Sequence, residues 1–150
     1  MRAAKLFSAT IAFEWPAACK YWQYDKVRAF MKAMQYRFIT LNGCMFGLQS
    51  MAPKTRGLSI KKPWTIATDC HTLTKHLNRQ CTSYHHFDRE KGRFIPHAPC
   101  AGVDTKQTEG YTDEFAVAVH RGHRDHLYGG DCRDWPPCHN NLDGAACQCL

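Results

Sequence analysis

A mixed α/β domain is what this sequence predicts: a small sheet with two or three helices, a Rossmann-like half domain, followed by a poorly ordered tail rich in Cys and His. Three observations predict it. Strand-like runs alternate with a regular apolar helical stripe in the first half of the chain. A loop at 81–100 carries Cys and His near both ends, and residues 123–150 combine Gly, Asp, His, Asn, Pro and four Cys with few large aliphatics. With 150 residues, 44% of them hydrophobic and the aromatics spread along the chain, one domain can bury a core of its own. The expected division is a domain over 1–122 and a tail over 123–150.

The elements follow in order. "FSATIAFE" at 7–14 suits a mostly buried strand, and Pro16 closes it. A helix comes next, capped by Asp25, with Val27, Phe30, Met31 and Met34 at the i, i+3, i+4, i+7 spacing of one core-facing stripe. "YRFITL" at 36–41 alternates as a second strand and meets the turn pair Asn42-Gly43. "PWTIAT" at 63–68 makes a third, after which Asp69 caps a short helix through Leu73 and Leu77. The stretch 104–122 reads as a capped helix that Gly110 splits, making Thr112 its effective start. Gly122 weakens its end, where His120, His123 and His126 lie three apart as a polar terminus. No stretch approaches the length of a membrane span.

Charge divides the chain unequally. Residues 1–62 hold eleven Lys and Arg against Glu14 and Asp25 alone, whereas the remainder holds nine against eleven acidic residues. A first half this basic is suited to a polyanion, because Lys and Arg gain affinity by displacing counterions from phosphates. The phosphate contacts expected are Lys20, Lys26, Arg28, Lys32 and Arg37, with 28 and 32 sharing a helix face apart from the apolar stripe.

Nine cysteines form an odd set without the regular spacing of a small secreted scaffold, which favours a reducing, intracellular setting in nucleus or cytoplasm. The opening "MRAAKLFSATIAFEWPAAC" has Arg2 and Lys5 before an apolar run, as a signal peptide does, but Glu14 and Pro16 interrupt it.

"CTSYHHFDREKGRFIPHAPC" at 81–100 carries the clearest chemistry. Zinc takes about four N or S ligands in a tetrahedron, usually as two close pairs. Cys81 with His85 or His86 gives one pair, at C-x3-H or C-x4-H, and His97 with Cys100 gives the other, at H-x2-C. Ten or eleven residues between the pairs let the second fold back over the first. Such a closed Cys2His2 site is structural, because no coordination position is left for water. Cys132, Cys138, His139, Cys147 and Cys149 make a less regular second group in the tail. No P-loop, no GxGxxG and no nucleophile on a sharp turn is present, so no catalytic set is assigned.

Several phrases together resemble a known domain. "FEWPAACKYW" at 13–22, "LNGCMFGL" at 41–48, "IKKPWTIATD" at 60–69, "LNRQC" at 77–81, His85-His86 and "TEGYTDEF" at 108–115 are similar to an uncharacterised domain recurring in mobile-element-like, retroelement-associated proteins of protist genomes. The resemblance covers roughly 8–121 and implies a mobile-element context, not an activity. A more distant one is to the second half of cytosine-C5 methyltransferases, where a strand ends in Glu-Asn-Val and the Glu holds the target base. Here Glu14 matches, Trp15 and Pro16 depart, and the family's Phe-x-Gly-x-Gly cofactor loop is absent. The family's Pro-Cys nucleophile precedes that strand, whereas Pro99-Cys100 and Pro137-Cys138 follow it. The expectation is a non-enzymatic, zinc-stabilised module that contacts nucleic acid, with a catalytically incomplete methyltransferase-like fragment, or a truncated product without selected function, as the alternatives.

Overall fold

The structure, a computed structural model, describes residues 9–83 and 86–129. It is mixed α/β, as the alternation of strand and helix patterns predicts. Strand β1 (Ala12–Pro16) leads through a 3-10 turn (Lys20–Gln23) into helix α1 (Asp25–Ala33), then strand β2 (Arg37–Asn42) and a second 3-10 turn (Gly43–Phe46). Strand β3 (Pro63–Thr68), helix α2 (Leu73–Leu77), the short strands β4 (Phe87–Asp88) and β5 (Arg93–Phe94), and helices α3 (Val103–Gln107) and α4 (Asp113–Tyr128) follow.

The sheet departs from the Rossmann-like half domain. Its order is β1-β3-β2, and β3 runs antiparallel to both neighbours. The β1-α1-β2 segment is therefore a crossover between two parallel strands, as in a βαβ unit, but with β3 inserted between them so that every ladder is antiparallel. β3 takes the centre because Trp64, Ile66, Ala67 and Thr68 are all buried, a run suited to a strand covered on both faces. β1 lies at the edge and extends to Pro16, since an edge strand leaves a backbone N–H unneeded on one side.

Register assigns the two faces. Ile39, Leu41, Trp64 and Ile66 point into the larger core with Phe46, Leu48, Leu73, Leu77, Phe115 and Ala118, where α2 and α4 pack. Phe13 and Ala67 point the other way, onto Met31 and Tyr36, with Val27, Phe30 and Met34 of the predicted stripe packed around them.

Local rules account for most helix ends. Thr112 caps α4 as expected, its Oγ1 accepting from Phe115 N at 3.2 Å. Tyr24, not Asp25, occupies the cap position of α1, and Asp25 sits in the first turn, where its charge favours the helix dipole. Asp69 is not the cap of α2: its Oδ1 accepts from Ile11 N at 2.8 Å, tying the start of the chain to the end of β3.

Helix α4 continues six residues past the expected boundary at 122. Gly122 is buried there, and a Cβ on it would stand 2.6 Å from Leu73 Cδ2 and 3.0 Å from Leu73 Cα. Thr72 Oγ1 donates to Gly122 O at 2.6 Å, so this glycine is where α2 rests on α4. The expected tail from 130 onward lies outside the described residues.

Candidate metal centre

β2 carries the chain to the first donor. Beyond Asn42 the backbone tightens into the 3-10 turn, where Gly43 N donates to the carbonyls of Lys61 and Lys62 at 3.1 and 3.0 Å. A Cβ at Gly43 would lie 2.6 Å from Leu48 Cδ2, so a residue without one lets the turn settle on the core. Cys44 is buried in this turn.

Asn42 brings the second donor to the first. Its backbone N donates to Arg79 O at 3.1 Å and its side-chain Oδ1 accepts from Cys81 N at 2.7 Å. The segment 79–81 is thus fastened beside the end of β2, two residues from Cys44. Ser83 N donates to Cys81 Sγ at 3.3 Å, which orients the sulfur.

A two-stranded hairpin supplies the imidazoles. His86 precedes β4 and His97 follows β5, and the pairing of Phe87 with Phe94, rings 4.9 Å apart, folds the one back toward the other. Asp88 Oδ1 accepts from Glu90 N and Lys91 N, both at 3.1 Å, and shapes the turn; the bond from Lys91 N leads the causes that hold its carboxyl below the ordinary value. Ile95 N donates to His86 O at 2.8 Å, and Ala98 N to Ser59 O at 2.9 Å, fixing the backbone beside His97. The two imidazole rings stand 4.3 Å apart at 77°.

Cys44, Cys81, His86 and His97 therefore offer four ligand atoms that all lie within 4.8 Å of one another, a group that could hold a metal ion. Burial, then the hydrogen bond with Cys81, pushes the Cys44 thiol up to about 12 from its ordinary 9.0. A coordinated divalent cation reverses that preference, because a thiol bound to metal is deprotonated. Zinc bonds near 2.3 Å to sulfur and 2.0–2.1 Å to nitrogen put neighbouring tetrahedral donors roughly 3.4–3.8 Å apart. Cys81 Sγ and His97 Nε2 are 3.4 Å apart, at that spacing, and all four donor atoms lie within 4.8 Å of one another.

The loop predicted at 81–100 thus contributes three members, Cys81, His86 and His97. His85 lies outside the described residues. Cys100 is exposed, its Sγ lies 3.3 Å from Thr108 Oγ1, and it is not a member of the group. With Ala98 pinned to Ser59, the chain turns through Pro99 and the positive φ of Gly102 into α3, carrying Cys100 away. Cys44 takes the fourth place from 37 residues before Cys81. Spacing alone does not reveal it; the signal present was a cysteine directly after a strand and its Asn-Gly pair. Cys132, Cys138, His139, Cys147 and Cys149 lie outside the described residues. On α4, His123 Nδ1 is 3.4 Å from Thr10 Oγ1 and His126 packs its ring 5.7 Å from that of His71, and neither enters the metal group.

Asn42 makes an outer-shell prediction. Asn42→Ala removes the tie to Cys81 N while leaving all four donors, and the affinity of the site for a divalent metal such as zinc should fall about 10–100-fold. Competition with a chromogenic chelator measures this; unaltered affinity would show that the tie does not position Cys81.

All five basic residues expected to meet phosphate are exposed, but they do not form one face. Arg28 and Lys32 flank a groove with Trp22 and Phe38. Lys26 lines a neighbouring hollow with Tyr21 and Tyr24, and Lys20 borders neither. Arg37 pairs with Thr68 in register, which puts it on the opposite side of the sheet from Phe38. Glu14, the residue matching the methyltransferase motif, accepts a hydrogen bond from the Tyr111 hydroxyl at 2.6 Å. Burial and that bond raise the Tyr111 phenol well above its usual value.

Among the described residues no helix is long and apolar enough to cross a membrane. Comparison with protein-family models, with curated proteins and with solved structures finds no match.

Proposed function

We propose that the protein is a non-enzymatic, zinc-stabilised module that associates with nucleic acid, and that Cys44, Cys81, His86 and His97 hold its zinc ion. The observation that carries the reading is the donor set itself. Two sulfurs and two imidazole nitrogens favour zinc over the hard cations, which prefer oxygen. Four protein ligands close the coordination sphere, so the ion supplies shape and no activated water. Thiols that bind metal must stay reduced, in keeping with a nuclear or cytoplasmic setting.

The nucleic-acid half of the proposal rests on the basic first half and on the resemblance to a domain of mobile-element-like proteins. The alternative, an incomplete cytosine-C5 methyltransferase-like fragment, would be separated by titration calorimetry with S-adenosylmethionine, which the module does not bind.

Elemental mass spectrometry of the full chain, purified under reducing conditions, tests the metal. About one zinc per chain is expected in the parent and in Cys100→Ser, and none in Cys44→Ser/Cys81→Ser. Zinc lost from Cys100→Ser but kept by the double variant would overturn this ligand set.

A further inference from the structure

The groove between α1 and the outer face of the sheet is the strongest surface the metal centre does not explain. Phe38 projects there from β2 and is 56% exposed, an unusual cost for a strand residue on a sheet of three strands. Its ring meets Trp22 edge to face, with centroids 5.7 Å apart at 77°. Thr40 and Thr65, opposite each other in register on the same face, continue the surface with two hydroxyls 3.5 Å apart. Arg28 and Lys32, one turn apart on α1, line the groove beside these rings, and Asp25 is the one carboxylate among the lining residues. Aromatic faces, exposed hydroxyls and paired cations side by side are what an unstacked nucleotide requires: a platform for the base and charge for the phosphates.

We propose that single-stranded nucleic acid lies along this groove, with a base stacked against Phe38 and Trp22 and the adjoining phosphates held by Arg28 and Lys32. The inference rests on the nucleic-acid reading above and narrows it to the single-stranded form. A duplex keeps its base faces stacked on one another, so it could use the cations but not the rings. Asp25 lies at the opposite end of α1 from Lys32, so the backbone runs along the Arg28–Lys32 side, away from the carboxylate.

Fluorescence anisotropy of the reduced, zinc-loaded chain tests this with a labelled oligothymidine and a labelled duplex. The single strand is expected to bind more tightly, and Phe38→Ala to weaken it about tenfold or more without changing duplex binding. Phe38→Tyr, which keeps the ring, should restore it. Arg28→Ala/Lys32→Ala should flatten the logarithmic salt dependence by about 1.4, at roughly 0.7 per charge on single strands. Should Phe38→Ala fail to fold, Phe38→Leu gives the same reading, because it retains apolar bulk and loses the ring plane.

Duplex bound as tightly as single strand, with Phe38→Ala neutral, would overturn the groove and leave the nucleic-acid reading standing. Binding of neither form would overturn both. A dimer in sedimentation that Phe38→Ala dissolves would assign the surface to a second copy of the chain and overturn the inference.

Discussion

With zinc held as proposed, stripping it with a strong chelator, or replacing Cys44 by serine, should lower the thermal midpoint by roughly 15 °C. A ligand held at about a thousandfold above its dissociation constant stabilises the folded state by about 4 kcal/mol, and a domain of this size shifts by about 4 °C for each kcal/mol. The reason for so large an effect is visible in the loop that the ion would organise. β4 and β5 have two residues each, too short a pair to persist unaided. Besides the metal donors, the segment 86–97 is held by small contacts: the Phe87–Phe94 rings, the Asp88 turn bonds and a few backbone bonds. Loss of protection should therefore concentrate in 81–97, while β3 and α4 exchange at the global rate. Calorimetry with and without chelator, with Cys100→Ser as control, makes the comparison. An unchanged midpoint would remove zinc as a structural element.

Gly122→Val should destabilise the fold by about 3 kcal/mol or more, although a glycine inside a helix is ordinarily replaced at a gain. In an exposed helix, Gly→Ala recovers about 1 kcal/mol. Here the new Cβ would meet Leu73 Cα at 3.0 Å, a backbone atom that cannot swing aside, as well as Leu73 Cδ2 at 2.6 Å. Overpacking of this kind costs about 1–3 kcal/mol for the first methyl, and the two further methyls of valine press α2 away from α4. Prising them apart also strains the Thr72–Gly122 hydrogen bond. Gly110→Ala is the contrast: its Cβ finds only Gln107 O, at 3.8 Å, so the change should be nearly neutral. Urea denaturation of the three proteins reads the difference, and equal midpoints would show that the α2–α4 contact yields easily.

Periodicity made the elements legible, because burial of one face imposes it directly. The α1 stripe of Val27, Phe30, Met31 and Met34, the alternation of β2 and the Thr112 cap all follow from contacts within a few residues. Strand direction does not. The β1-α1-β2 order is the same whether the third strand adds beside its neighbours or enters antiparallel between them, and a period of two is silent on which. Long-range pairing explains the metal ligands in the same way. Joining His97 to Cys100 closes a short loop and is the natural local choice, but Cys44 reaches the site through Asn42 and its bonds to residues 79 and 81. Gly122 was legible as a helix weakener and not as a contact, because nothing near it in sequence announces Leu73.

The insertion of β3 between two parallel strands also dictates when the sheet can exist. A nascent chain that has released β1, α1 and β2 carries two edges with no hydrogen-bonding partner, since neither strand pairs with the other. The ladder begins only once Pro63–Thr68 has left the ribosome, some twenty residues after β2 ends. Until then the basic first half emerges as a helix and two unpaired strands. The aromatic residues of its outer face are held together by α1 alone, and sheet and core appear together when β3 arrives.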